Sequence, residues 1–268
     1  MAARQSDRGD GFRATSSADE PVPVRAQECP PGSAPTAPDS EAYARSVLVP
    51  IHVRLAEAYG LPVQDSLSDP TEELVRTILS QNTNDVNRDR ALERLRWRFP
   101  TWHVVMHAPA AEVADAIAPG GLSQIKAPRI QRALQAIAAE SADCDLSFIC
   151  GMPIGEARAW LTALPGVGPK TAACVLLFSC GKPVMPVDTH ILRVSRRVGL
   201  ITPGADADAA HEALAAVVPG ELVYPLHINL IRHGRSACRP QNPRCPTCVI
   251  ADVCRYGQKS PPGAPVWD

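Results

Sequence analysis

Along the middle of this chain, apolar residues recur at the three-to-four-residue spacing of buried helix faces, and prolines and glycines cut the pattern into segments. Residues 41–60 are amphipathic. Asp69-Pro70-Thr71-Glu72-Glu73 reads as a helix start, with proline near the first turn and acids at the positive end of the helix dipole. It leads into Leu74-Val75-Arg76-Thr77-Ile78-Leu79-Ser80. Further helical stretches are expected near 85–99, 109–117, 127–140, 154–163, 169–181, 187–198, 206–217 and 223–235. There is no alternating strand pattern and no internal repeat. The pattern predicts an all-α fold.

The ends read differently. Residues 1–40 are rich in Pro, Ser, Asp, Arg and Gly and carry no sustained apolar periodicity, so they cannot bury enough surface to offset the entropy of ordering. They are expected to form a disordered extension. Residues 257–268, which include Pro261-Pro262, read as a flexible tail. Composition supports helices over sheet: 45% of residues are hydrophobic, mostly Ala, Leu and Val, and only 4% are aromatic. No apolar run approaches the roughly 20 residues of a membrane span. Met1 to Asp7 lacks the apolar core of a secretory signal. A cytoplasmic protein without membrane association is expected.

The net charge of −1 does not advertise a nucleic-acid partner, but its distribution is uneven. Residues 121–200 hold nine Lys/Arg against five Asp/Glu, and residues 226–259 hold six against one. Residues 201–225 between them hold four acids and no Lys or Arg. Solvated helix faces produce such segregation too, so it gains weight only from motifs inside the basic blocks.

One motif is Leu164-Pro165-Gly166-Val167-Gly168-Pro169-Lys170-Thr171-Ala172, followed by Val187-Asp188-Thr189-His190. Leu161 and Leu164 precede the glycines, and Val175, Leu176 and Leu177 follow at helical spacing. A tight turn between two helices needs glycine where φ is positive or a ligand comes close. The second helix then presents free N–H groups and a positive dipole end, which suit a phosphate. Lys170 falls in its first turn, and Asp188 follows eighteen residues later. An amine and a carboxylate beside a phosphate-binding turn form an arrangement for chemistry on nucleic acid.

Another motif closes the chain. Of nine cysteines, four crowd into Cys238-x6-Cys245-x2-Cys248-x5-Cys254. Four thiolates over so short a stretch can enclose one tetrahedral metal or a cubane cluster. Zinc ribbons usually use two Cys-x2-Cys knuckles, and only one is present. Cys174 and Cys180 lie on an apolar helix and read as core residues; Cys29, Cys144 and Cys150 show no ligand spacing. Without secretory features a disulfide framework is not expected.

Over residues 41–256 these motifs together resemble the helix–hairpin–helix DNA glycosylases, and most closely the endonuclease III family. The resemblance implies a six-helix domain over 63–182 that carries the hairpin. A second domain combines 41–62 with 183–256, and DNA lies over the cleft between the two. It implies a [4Fe–4S] cluster on Cys238, Cys245, Cys248 and Cys254. Arg235, Arg239 and Arg244 would then face phosphate or stabilise the cluster.

The implied activity is bifunctional: excision of oxidised pyrimidines, then strand cleavage by β-elimination. Lys170 would attack C1′ and form a Schiff base, and Asp188 would stabilise the cationic sugar or, more simply, cap the following helix. Gly166, Val167, Gly168 and Thr171 would contact the DNA backbone. The family fills the gap left by a flipped base from Leu-Ser-x-Gln-Thr-x-Asp; here Leu79-Ser80-Gln81-Asn82-Thr83-Asn84-Asp85 puts Asn82, rather than Gln81, at the filling position. Asp85 would support the pocket or cap the next helix. Leu122, in Gly121-Leu122-Ser123-Gln124, matches the intercalating wedge or sits in the core, and Ser123 stands where the family usually has tyrosine. His190 would order the pocket or pack as core.

The partner implied is duplex DNA with a damaged base or abasic site, met by a monomer and, in a bacterium, at the nucleoid. Adenine and uracil or thymine mismatch glycosylases share much of this pattern but usually lack the lysine. A non-catalytic iron–sulfur DNA-damage sensor needs neither Lys170 nor Asp188.

Overall fold

The computed structural model describes residues 37–259, with side chains from 41 to 258. Most of the expected extension, residues 1–36 with Cys29, and the tail beyond 259 lie outside the described residues. Those described form α-helices and short 3-10 turns, with no strand among them. In chain order they are α1 (Ala37–Tyr59), α2 (Pro70–Ser80), α3 (Asp85–Arg98), α4 (Trp102–His107), α5 (Ala110–Ala116) and α6 (Ser123–Glu140). Next come α7 (Phe148–Gly151), α8 (Ile154–Thr162), α9 (Pro169–Cys180) and α10 (Thr189–Val198). The last are α11 (Ala207–Val217), α12 (Gly220–Ser236) and α13 (Arg255–Lys259). None of these helices is long and apolar enough to cross a membrane.

The boundaries depart from expectation in instructive places. α1 begins at Ala37, inside the stretch read as disordered, and α13 carries the chain in helix through Lys259, inside the stretch read as tail. α6 and α12 start at Ser123 and Gly220, before the expected 127 and 223, and run through Pro128 and Pro225. Proline suits a first turn, but it can sit deeper in a helix at the cost of one intrahelical hydrogen bond. α4 and α7 are too short to show a period.

Two clusters of buried apolar side chains organise these helices. One gathers Leu74 and Ile78 of α2, Leu95 of α3, Ile130 and Leu134 of α6, Leu161 of α8 and Val175 and Leu176 of α9. The other gathers Ile51 and Leu55 of α1, Ile191 and Val194 of α10, Leu214 of α11, Leu226 and Leu230 of α12, and Ile250. Leu177, the residue after Leu176, belongs to the second cluster, so α9 is a wall common to both. α2 packs along α9, while α1 and α10 pack on α12. The segment before α2 is pinned to the end of α9: Ser68 N–H donates to the Phe178 carbonyl at 3.1 Å, and the Ser68 and Ser179 hydroxyls lie 2.9 Å apart.

α9 is held at its far end by a disulfide between Cys150 and Cys180, thirty residues apart in sequence. This pairing goes beyond the sequence reading, in which Cys180 is a core residue, Cys150 shows no ligand spacing and no disulfide framework is expected; both cysteines do pack against the first core. Packing α7 on α9 brings the two Cα atoms to 5.0 Å, a proximity that spacing along the chain does not encode.

Candidate active site

The hairpin joins α8 to α9 through Ala163–Gly168. Gly166 has φ +82°, and a Cβ there would meet the Arg129 Cδ at 2.6 Å. The positive φ favours glycine, and any larger residue would also have to displace the Arg129 side chain. Val167 turns its side chain into the first core, so only its backbone faces outward. Gly168 is the N-cap of α9 and brings no capping side chain, and Pro169 follows at the first position. The positive end of α9 is left to whatever approaches it.

From there Lys170, Cys174 and Phe178, one turn apart, run along the α9 face that lines a cleft of about 800 Å3. The α2 face of Glu73, Arg76, Thr77 and Ser80, again at helical spacing, lines the same cleft. α12 closes the cleft with His227, Ile231, Arg232 and Arg235, and the head of α10 adds Asp188, Thr189 and His190. The cleft thus opens where helices of the two cores meet.

Lys170 is half-buried. It interacts with the Cys174 thiol one turn on, which burial pushes up to about 11 despite the lysine's opposing charge. Asp188 is the N-cap of α10: its Oδ1 accepts the Ile191 N–H at 2.7 Å. That bond occupies one carboxylate oxygen and fixes the other relative to the cleft. Capping, one of the readings open from sequence, is therefore a role Asp188 performs. Glu73 is buried, and desolvation raises its pKa against the pull of Arg76 and the hydroxyls of Thr77 and Ser68. His227 is 3% exposed, and burial pushes its imidazole down to about 4.

The loop after α2 brings Gln81 and Asn82 to the cleft, while Leu122, at the start of α6, lies outside its lining. Gln81 is engaged: its Nε2 donates to the Gly166 carbonyl at 3.0 Å, and its Oε1 accepts from Arg129 at 3.5 Å. Asn82 is exposed with φ +53°, and Leu122 is exposed with φ +49°. Asparagine tolerates this left-handed region, whereas leucine is held there at a cost of about 1–2 kcal/mol. Leu122 is 51% exposed, which removes the core reading. Thr171 is buried against the cleft, and His190 is half-buried with its Nδ1 3.0 Å from Arg193 Nη2. Asn84, not Asp85, caps α3; Asp85 pairs with Arg88 and, across the cleft mouth, with Arg235, each at 2.8 Å. Arg235 is thus committed to a carboxylate in this state.

Lys126 had no assigned role in the sequence and proves to be a structural hub. It is 1% exposed, and its Nζ donates to the Leu79 carbonyl at 2.7 Å and the Gly120 carbonyl at 2.8 Å. One ammonium therefore ties the loop of Gln81 and Asn82 to that of Leu122.

Cys238, Cys245, Cys248 and Cys254 line a separate small cavity behind α10 and α12. Arg197 Nη1 lies 3.6 Å from the Cys238 sulfur and also donates to the Arg239 carbonyl at 2.6 Å. His233, held neutral by burial, places Nε2 3.6 Å from the Cys248 sulfur and Nδ1 3.1 Å from the Tyr59 hydroxyl. Burial raises the Cys245, Cys248 and Cys254 thiols, with Cys248 near 11. Among the described residues no three His, Cys, Asp or Glu side chains converge as they would on a single ion.

Comparison with known proteins agrees with this geometry. The HhH-GPD superfamily of base excision DNA repair proteins matches residues 75–219. Endonuclease III of Escherichia coli K12 is 34% identical over 210 residues, covering 78% of this chain and 95% of that protein. Endonuclease III of Thermotoga maritima is 31% identical over 189 residues, covering 70% and 84%. A putative DNA glycosylase of Arabidopsis thaliana is 34% identical over 176 residues, 64% of this chain, and the match spans 60% of that protein's length. Among solved structures, a trapped endonuclease III–DNA covalent intermediate superposes with a TM-score of 0.69 at 29% identity, covering 80% of this chain and 97% of that one. A thermostable thymine-DNA glycosylase shares the fold, with a TM-score of 0.68 at 22% identity over 82% of this chain and all of that one. The chain therefore belongs to the HhH-GPD superfamily of base excision DNA repair proteins, and within it to the endonuclease III family of DNA glycosylases.

Proposed function

We propose that the protein is a bifunctional DNA glycosylase and abasic-site lyase that removes oxidised pyrimidines from duplex DNA as a monomer. The observation that carries the reading is that Lys170 and Asp188 line one cleft large enough for an extruded nucleotide. Lys170 attacks C1′ while the Asp188 carboxylate stabilises positive charge on the sugar. The base departs, and the amine remains bound to the opened sugar as an imine. The imine acidifies the C2′ proton, and β-elimination breaks the strand 3′ to the lesion. That a related endonuclease III has been captured as a covalent DNA intermediate supports the same chemistry here. A non-catalytic sensor has no use for an amine and a carboxylate sharing a cleft.

The function is tested by borohydride reduction on duplexes with single lesions. The protein should become covalently linked to DNA carrying an oxidised pyrimidine or an abasic site and leave undamaged DNA free. No cross-link on any of these duplexes overturns the lyase reading.

The mouth residues take their parts from their positions. Asn82, exposed and left-handed, fills the gap in the duplex, while Gln81 braces the hairpin through the Gly166 carbonyl. Leu122 wedges the opposite side. The turn Gly166–Gly168 grips phosphate through backbone N–H groups. At Gly168 φ is −96° and an added Cβ meets nothing within 4 Å, so Gly168→Asp is expected to fold and even to cap α9. Its carboxylate repels phosphate, and affinity for damaged and undamaged duplex should fall together. Unchanged affinity at moderate salt removes the turn from the interface.

Cys238, Cys245, Cys248 and Cys254 would hold a [4Fe–4S] cluster. The four residues line one small cavity, and Arg197 supplies a cation that suits an anionic cluster. Held there, such a cluster would tie down the loop after α12 through Cys238, Cys245, Cys248 and Cys254. Anaerobically purified protein should carry about four irons with matching sulfide, and Cys245→Ser should chiefly lower the folded yield. Stoichiometric zinc without iron overturns this assignment.

A further inference from the structure

We propose that His227 takes the proton that the Lys170 nitrogen sheds on bonding to C1′, which makes it a proton acceptor in the wall of the nucleophile's own cleft. The inference rests on Lys170 being that nucleophile. His227 lies on the α12 face toward the cleft and is 3% exposed, with its ring 5.6 Å from that of Phe178. Its Nδ1 is buried and has no hydrogen-bond partner in the described structure. A buried polar atom left unpaired is costly and calls for an explanation. A role within the catalytic cycle supplies one. Sharing the cleft are Lys170 and Cys174 from α9, Asp188 at the head of α10, and Glu73 and Arg76 from α2.

The electrostatics suit a temporary acceptor. Burial keeps the imidazole neutral at rest; Asp188 favours its cationic form, and the Lys170 charge opposes it. Lys170 first gives its ammonium proton to solvent; the neutral amine then donates its lone pair to C1′, and the glycosidic bond breaks with its electron pair on the departing base. The lysine nitrogen, now positive, releases one proton to Nδ1. The products are a neutral aminal and an imidazolium beside the Asp188 carboxylate. At that moment the opposing lysine charge is gone while the supporting aspartate remains. As C1′–O4′ breaks, the nitrogen lone pair forms the imine, O4′ takes the proton, and His227 is neutral again.

The test measures single-turnover borohydride trapping and base excision as a function of pH for the wild type, His227→Asn and His227→Ala. Asparagine keeps a polar atom near the Nδ1 position but cannot carry the proton. His227→Asn should slow both reactions roughly 100-fold or more with duplex affinity intact. Added imidazole should restore part of the rate to His227→Ala, following the fraction of imidazole that is unprotonated. A full rate for His227→Asn, or a loss in His227→Ala that imidazole does not relieve, overturns the inference. If both variants unfold, the wild-type trapping rate in light and heavy water decides: a clear slowing in heavy water supports proton transfer in the step, and equal rates overturn it. A wild type that never traps overturns the lysine reading and this inference with it. Trapping that is lost only in Lys170→Gln, with His227→Asn unimpaired, overturns the inference alone.

Discussion

Lys170→Gln will abolish borohydride trapping and strand cleavage while the protein still binds duplex DNA. Glutamine keeps most of the side-chain length and is nearly as good a helix former as lysine, so the first turn of α9 should persist. What disappears is the only atom on that turn able to form an imine. Nucleophilic catalysis has no partial substitute here, and the lyase rate should drop to background. Affinity should change little, because one charge among many phosphate contacts is removed and the backbone of the hairpin is untouched. The comparison needs a duplex with a pre-formed abasic site, a gel for covalent adducts and a binding isotherm. A variant that still cross-links would move the nucleophile elsewhere in the cleft.

Asp188→Asn will separate two jobs held by one side chain. As the N-cap of α10, Asp188 accepts the Ile191 N–H, and asparagine caps about as well, so melting should barely move. In its proposed role, facing a developing sugar cation, the carboxylate has no neutral replacement. Excision of an intact lesion should fall by a factor of about 100–1,000, the usual effect of losing a preorganised electrostatic partner. On a pre-formed abasic site the base is already gone, and the variant should keep more of its activity there. Asp188→Ala removes the cap as well and should cost about 1 kcal/mol of stability in addition. Equal losses for Asp188→Asn on both substrates would assign the carboxylate to the lysine instead of the sugar.

Much of this could be read from the chain because punctuation and chemistry coincide. Asp69-Pro70 marks a helix start that the structure builds, with Asp69 accepting the Glu72 N–H at 2.7 Å. The glycines of the hairpin announce a turn only they can make, and Lys170 follows at a fixed offset. Other features depend on packing that no local signal carries. His227 is one of two histidines in an amphipathic run, and only the approach of α12 to Asp188 and Phe178 gives it chemical surroundings. Lys126 reads as a surface cation until two carbonyls from distant elements are found around it. Cys150 and Cys180 meet because α7 folds back on α9. Pro128 and Pro225 misplace helix starts because proline permits more positions than the first turn.

The position of Lys126 bears on how such a molecule could fail. Its ammonium satisfies carbonyls of Leu79 and Gly120, beside the two loops that present Asn82 and Leu122, and it touches neither the hairpin nor the catalytic pair. Neutralising it, by acylation or by exchange for methionine, leaves two buried acceptors stranded and slackens both probes together. The grip on phosphate and the amine at C1′ would survive. Such a protein is expected to keep its hold on duplex DNA while losing the means to open it, so that binding and base excision come apart.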